Sequence, residues 1–229
     1  MRILVTRPRE DGEQIAAKLA ALGHQALLAP LLEPRFQDGP EPALDDVQAI
    51  LATSANGVRA LIRRTARRDI PIFAVGPQTT EEARAAGFSD VRNADGDSRA
   101  LAEAVARWTR PEKGTLLHVC GADAPGTLVE NLARRGFTAR RTVLYAIDAV
   151  TALSPDARDA LAQSAVDAVM FFSPVSAKIF LDVCGGIPTA KLVALCISPA
   201  TAAVLPPGAF AGVRTAAAPN QAALLALVE

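Results

Sequence analysis

Short apolar runs recur along the chain, each followed by a break and then by a segment of helical period. Residues 72–75 are the clearest case: I-F-A-V, then Gly76 and Pro77, then a mixed segment that ends at Gly87. A run that short, bounded by turn residues, predicts a buried parallel strand. Thr79 or Thr80 is expected to cap the next helix, with Glu81 and Glu82 in its first turn, where the macrodipole favours acids. The tip then offers backbone N–H groups and a hydroxyl at the C-terminal end of a strand, where open α/β sheets bind ligands.

The same alternation runs through the whole chain. Strands are predicted at 3–6, 25–28, 47–53, 72–75, 90–93, 116–120, 138–147, 168–172, 193–197 and 213–216. Helices are predicted at 14–22, through Leu61 and Ile62, at 98–108 with Ser98 as cap, up to Gly136, and at 157–163, 178–183 and 221–228. Residues 31–42, with prolines at 34, 40 and 42, read as an extended connection. Strict alternation of strand and helix predicts a parallel α/β fold.

Internal repeats sharpen that expectation. V-Q-A-I-L-A-T-S at 47–54 aligns with V-D-A-V-M-F-F-S at 166–173, and V-G-P-Q-T at 75–79 with I-S-P-A-T at 197–201. Arg92 falls opposite Arg214. Residues 3–28 match 116–141, with Leu19 opposite Leu132 and Gly23 opposite Gly136. Short and long units thus follow one another twice, and one of each makes a flavodoxin-like sheet. Segments around 31–42 and 142–154 look like a double connection. The ends of the chain would then form one domain and the middle another, with a ligand between them.

Composition narrows the function. The 229 residues are half apolar, enough for one large core or two small ones. Lys plus Arg and Asp plus Glu number 24 each, without the basic excess of a general nucleic-acid binder. Cys120, Cys184 and Cys196 are far apart and lie in or beside apolar runs, as buried reduced thiols would. The opening strand leaves no room for a secretory leader, and no apolar stretch approaches the roughly 20 residues of a membrane span. His24 and His118 are the only histidines, and neither has metal-ligand or triad company, so both read as structural or solvent-facing. Neither a G-x-G-x-x-G, a phosphate-binding G-x-x-x-x-G-K-[ST], nor a G-x-S-x-G is present.

What remains is a set of strand-to-helix turns: Thr6 to Pro8, Thr53 and Ser54, Gly76 to Thr80, Gly121 to Gly126, Ser173 to Ser176, and Ser198 to Thr201. Each can present N–H groups to an anion, although capping alone explains the residue types of any single one. Tyr145, the one tyrosine, lies in the predicted connection; its phenol either reaches a ligand or is simply wet. Arg7 and Arg9 are suited to carboxylates or to an ordinary solvated turn. Arg63, Arg64, Arg67 and Arg68 read as a solvated helix face.

Taken together these residues resemble the uroporphyrinogen-III synthase family. The likeness runs through V-T-R-P at 5–8, P-L-L at 30–32, T-S-A-N-G-V at 53–58, A-V-G at 74–76 with Thr79, Leu144 and Tyr145, F-F-S-P at 171–174, and Ile197 with Thr201 and Ala202. It implies two flavodoxin-like parallel-sheet domains joined by a two-stranded connector. Residues 1–34 with 150–229 would form the first, 42–142 the second, and 35–41 with 143–149 the connector. The implied activity is a cyclising lyase of tetrapyrrole synthesis. Hydroxymethylbilane loses water and closes to uroporphyrinogen III with its last pyrrole ring inverted through a spirocyclic intermediate. No metal or organic cofactor is implied. Tyr145 matches the family tyrosine that assists departure of hydroxide. Thr79 and Thr201 match paired hydroxyls, Gly76, Ser54 and Ser173 match turn positions, and Arg7 is first among the arginines for the substrate carboxylates. A cytoplasmic monomer is implied, in transient contact with the preceding deaminase and with neither nucleic acid nor membrane. Ser198 stands where the family commonly has glycine before Pro199. The alternative reading is a non-catalytic two-domain module that senses a carboxylated small molecule.

Overall fold

Each of the predicted apolar runs forms a strand, and one further strand appears. The computed structural model describes residues 1–228, which divide into two units: residues 1–33 with 148–228, and residues 34–147. In chain order the strands are β1 (Arg2–Val5), β2 (Gln25–Leu28), β3 (Leu32–Phe36), β4 (Val47–Ala52), β5 (Ile72–Ala74) and β6 (Val91–Asn93). They continue with β7 (Thr115–Gly121), β8 (Ala139–Ala149), β9 (Ala168–Phe171), β10 (Val193–Cys196) and β11 (Gly212–Thr215). The α-helices are α1 (Arg9–Ala21), α2 (Ala55–Ile62), α3 (Pro77–Ala85), α4 (Ser98–Trp108), α5 (Thr127–Ala133), α6 (Pro155–Ala162), α7 (Pro174–Cys184), α8 (Pro199–Ala202) and α9 (Gln221–Leu225).

The first unit holds a five-stranded sheet in the order β11-β10-β9-β1-β2, with every pair parallel. Numbered within the unit this is the 2-1-3-4-5 order of flavodoxin-like sheets. The second sheet runs β3-β8-β7-β4-β5-β6, and its pairs from β8 to β6 are parallel. Without β3 it has the same order, entered at a different point of the chain: β7-α5-β8 takes the place of β1-α1-β2, and β4 to β6 that of β9 to β11. The alternating short and long repeats in the sequence are this permutation.

Alternate residues of each strand face opposite sides of the sheet, and helices cover both sides. In the first unit Leu4, Val169 and Phe171 pack with α6 and α7, whereas Ile3, Val5 and Met170 pack with α1 and α9. In the second, Ile50, Ala52, Leu117 and Val119 pack with α2 and α3, whereas Ala49, Leu51, Phe73 and Leu116 pack with α4 and α5.

Several local expectations need correction. Within the extended connection of residues 31–42, residues 32–36 form a strand, β3. The Val150 N–H donates to Leu31 O and the Gln37 N–H to Leu144 O, so β3 and β8 run antiparallel. Helix α1 starts at Arg9 rather than at residue 14. Gly12 lies in its buried first turn, where a Cβ would come 3.2 Å from Leu28 Cδ2; a glycine there brings helix and strand close. Gly76, not a threonine, is the N-cap of α3, and Pro77 is its first residue. Thr79 and Thr80 therefore lie inside the helix, with Thr80 Oγ1 donating to Gly76 O at 2.9 Å. Asp97 rather than Ser98 caps α4, accepting from the N–H groups of Arg99 and Ala100. Helix α7 starts at Pro174, four residues earlier than expected.

The arginines after α2 are more than a solvated face. Arg64 donates to Gln37 O and Pro40 O, Arg68 donates to Thr65 O and Ala86 O, and Arg63 lies 4.2 Å over the Phe36 ring. They satisfy carbonyls of loop segments that have no ladder partner. The three cysteines are free and buried, and burial pushes the Cys184 and Cys196 thiols up to about 11, so both stay protonated. Among the described residues no helix is long and apolar enough to cross a membrane.

Candidate active site

In each unit the strand-to-helix turns lie at the C-terminal ends of neighbouring parallel strands. In the unit of residues 34–147 the centre is Tyr145. Between Val143 and Tyr145 the register of β8 against β7 slips by one residue, so Cys120 faces Val143 and Gly121 faces Tyr145. Such a bulge re-aims a side chain. The Tyr145 ring lies against Gly121, where a Cβ would come 2.9 Å from Cε2 and 3.0 Å from Cζ. A Cβ on Gly121 would come 3.3 Å from its hydroxyl oxygen, and the Ser54 side chain and the Gly121 backbone are near enough to favour its charged form. Tyr145 is 7% exposed, and burial raises its pKa above the ordinary tyrosine value more than those neighbours lower it. The phenol is thus a protonated donor at neutral pH.

Ser54 is also the N-cap of α2, accepting the Asn56 N–H at 3.2 Å. Gly57 lets that helix sit tightly on β7: a Cβ there would lie 2.9 Å from Val119 O. Buried Arg59 joins α2 to α3, its Nε donating to Glu82 Oε2 at 2.9 Å and its Nη1 to Asn56 Oδ1 at 3.0 Å. The turn at Gly76 is thereby held beside the turn at Ser54. Helix α3 has no side-chain cap, and Pro77 contributes no N–H. Its first-turn N–H groups at Gln78 and Thr79 are those a helix cannot bond internally. Thr79 itself is buried, 4% exposed.

In the other unit the corresponding turns are closed on themselves. Ser198 caps α8, accepting the Thr201 N–H at 3.3 Å, and its hydroxyl lies 3.0 Å from Thr201 Oγ1. Ser198 occupies the place of Gly76 in the repeat, so Thr201 has a partner that its counterpart Thr79 is not offered. Ser173 forms a capping box with Ser176. Arg7 pairs with Asp11 and lies 5.3 Å over the ring of Phe172, the residue before Ser173.

The structure thus sets Tyr145 and Ser54 on either side of Gly121, with Gly76 and Thr79 after the next strand. It places Arg7 beside the Ser173 turn, and Thr201 in the helix that follows the adjacent strand. Two features were missed by sequence reasoning. Gly121 passed as one turn glycine among several. His118 is 2% exposed, its Nε2 lies 3.1 Å from Thr53 Oγ1, and its Nδ1 has no hydrogen-bond partner among the described residues. Burial pushes its imidazole down to about 4, with the charge of Arg141 adding to the effect. The signal was there: in the repeat His118 falls opposite Val5, a titratable ring in an apolar slot. Among the described residues no group of three or more His, Cys, Asp or Glu side chains is placed to hold a metal.

Residues 13–226 match the HEM4 family, described as uroporphyrinogen-III synthase HemD. The crystal structure of uroporphyrinogen-III synthetase from Helicobacter pylori 26695 aligns over 100% of this chain and 98% of its own, with a TM-score of 0.66 and 19% identity. A mutant uroporphyrinogen III synthase from the extremely thermophilic bacterium Thermus thermophilus aligns over 93% of this chain and 92% of its own, with a TM-score of 0.47 and 20% identity. The Helicobacter pylori likeness supports the fold, and the family match carries the assignment. No curated protein matches the chain.

Proposed function

This chain belongs to the uroporphyrinogen-III synthase family, and we propose that it acts through Tyr145. The family's reaction is the dehydrative cyclisation of hydroxymethylbilane to uroporphyrinogen III in haem biosynthesis, a cyclising lyase reaction. The match over residues 13–226 is the observation that carries the assignment.

The substrate supplies most of the chemistry. The C–O bond of the first ring's hydroxymethyl breaks, the pyrrole nitrogen pushes its electron pair in, and hydroxide leaves as water once it gains a proton. The substituted carbon of the last ring attacks the resulting azafulvene and gives a spirocyclic intermediate. That intermediate fragments to a second azafulvene, recloses with the ring inverted, and loses a proton from carbon. Water is the only net loss, and the route as written uses no metal or organic cofactor.

The protein's share is to hold the disfavoured carbon near and to help hydroxide leave. Tyr145 is suited to the second of these, since a buried, protonated phenol packed on Gly121 donates toward a leaving oxygen directly or through water. The uncapped start of α3 at Gly76 and Thr79 suits the substrate's carboxylates. Arg7, Ser173 and Thr201 are the further substrate-binding residues, Arg7 by charge and the hydroxyl residues by ordering their turns. The same reading puts the protein in the cytoplasm as a monomer, in transient contact with the deaminase that makes its substrate.

Tyr145→Phe tests the assignment of the proton donor. Turnover is expected to fall about 10²-fold with unfolding unchanged, the range of a lost general acid. Wild-type turnover would remove Tyr145 from the chemistry.

A further inference from the structure

We propose that His118 positions the Tyr145 hydroxyl: through Thr53 it fixes the turn whose next residue, Ser54, flanks that hydroxyl. The inference takes its functional meaning from the reading of Tyr145 as proton donor.

The turn is pinned from both faces of the sheet. Along β4, Leu51 packs in one core cluster and Ala52 in the other. Alternation carried one step further gives Thr53 and Ser54 opposite directions. Thr53 meets His118 on one side, Nε2 to Oγ1 at 3.1 Å. Ser54 lies on the other: the β4–β7 register, extended two residues past Ala52 and Val119, sets it level with Gly121, which the Tyr145 ring covers while packing with Ala52, Leu117 and Val119. Two adjacent residues therefore couple a buried imidazole to the phenol. Gly121, three residues beyond His118 on β7, supports the ring of that phenol.

For packing alone His118 is a poor choice. It fills a slot that the repeat gives to Val5, and it leaves Nδ1 unpaired in the interior among the described residues. Protein interiors pair nearly all buried polar atoms, so an exception needs a reason beyond packing. A leucine would fill the slot and leave nothing unpaired. Holding Thr53 is what the imidazole does and an aliphatic side chain cannot. The ring does this as a neutral group, with Arg141, its register partner on β8, opposing a positive charge there.

The chain's single tyrosine makes the test direct. Protein labelled with 3-fluorotyrosine carries one fluorine resonance, and fluorination lowers the phenol's pKa so that it titrates while the protein is folded. The labelled wild type, His118→Leu and His118→Gln are titrated, and turnover is measured for each and for His118→Leu combined with Tyr145→Phe. His118→Leu is expected to raise the midpoint by about 0.5–1 unit, the scale of one hydrogen bond lost. It is expected to lower kcat about fivefold to tenfold with KM unchanged, as misplacement of a reacting group does. His118→Gln, whose amide reaches Thr53, restores both, and in the Tyr145→Phe background the leucine changes nothing further. An unmoved midpoint in His118→Leu, or a shift that His118→Gln fails to reverse, overturns the proposal. A reversible shift together with wild-type turnover in Tyr145→Phe supports the positioning and removes the donor reading instead.

Discussion

Tyr145 lies so close to Gly121 that a methyl group on the glycine would come 2.9 Å from Cε2 and 3.3 Å from the hydroxyl oxygen. The glycine is required by this approach. The ring lies on the Gly121 backbone, and the register slip in β8 brings it there.

Gly121→Ala should therefore displace the phenol. Overpacking of this kind costs about 1–3 kcal/mol of stability. Turnover should fall about tenfold or more in the coupled assay, since a reacting group is moved off its position. In a Tyr145→Phe background the alanine should cost little further turnover. Equal losses in both backgrounds would mean that Gly121 acts elsewhere.

Gly76→Ser imports the arrangement at Ser198 into its repeat partner. The glycine has extended backbone and open space around its Cα, so a serine fits. Its hydroxyl would accept the Thr79 N–H, as Ser198 accepts that of Thr201. Stability should rise by a few tenths of a kcal/mol. KM should rise about fivefold, the equivalent of about 1 kcal/mol of competing cap, with kcat unchanged. An unchanged KM would show that this N–H does not bind substrate.

His118 gives stability a pH dependence whose sign can be worked out. Its folded pKa is about 4, below the ordinary 6.5, so the unfolded chain takes up the proton first as pH falls. The neutral ring's contribution is complete above about pH 6.5 and is lost as pH falls toward 4, by about 3 kcal/mol in all. Urea unfolding of wild type and His118→Leu at pH 7, 5 and 4 isolates it: the difference between them should shift in favour of the variant by about that amount. Parallel pH profiles would mean that the ring is not buried neutral.

Much of this architecture was legible in the sequence, for a local reason. Buried parallel strands are short apolar runs, and V-Q-A-I-L-A-T-S and V-D-A-V-M-F-F-S both become a strand followed by a serine cap, at Ser54 and Ser173. The features that were misread depend on distant partners. Strand β3 carries Pro34 and charged residues, and exists because β8 offers it a ladder. Gly12, inside α1, is an approach point for Leu28. Thr79 and Thr80 looked like caps, yet Pro77 preset the first helical turn two residues earlier. The contact between Tyr145 and Gly121 follows from a one-residue slip that no periodicity reveals. The Arg64 contacts depend on where the loop at 37–40 returns.

The isomer composition of the product tests the central claim most directly. Porphobilinogen is converted by the preceding deaminase with and without this protein, and the products are oxidised and separated. Uroporphyrinogen III should dominate when the protein is present, with only the symmetric type I isomer in its absence. Type I alone in both reactions would contradict the account.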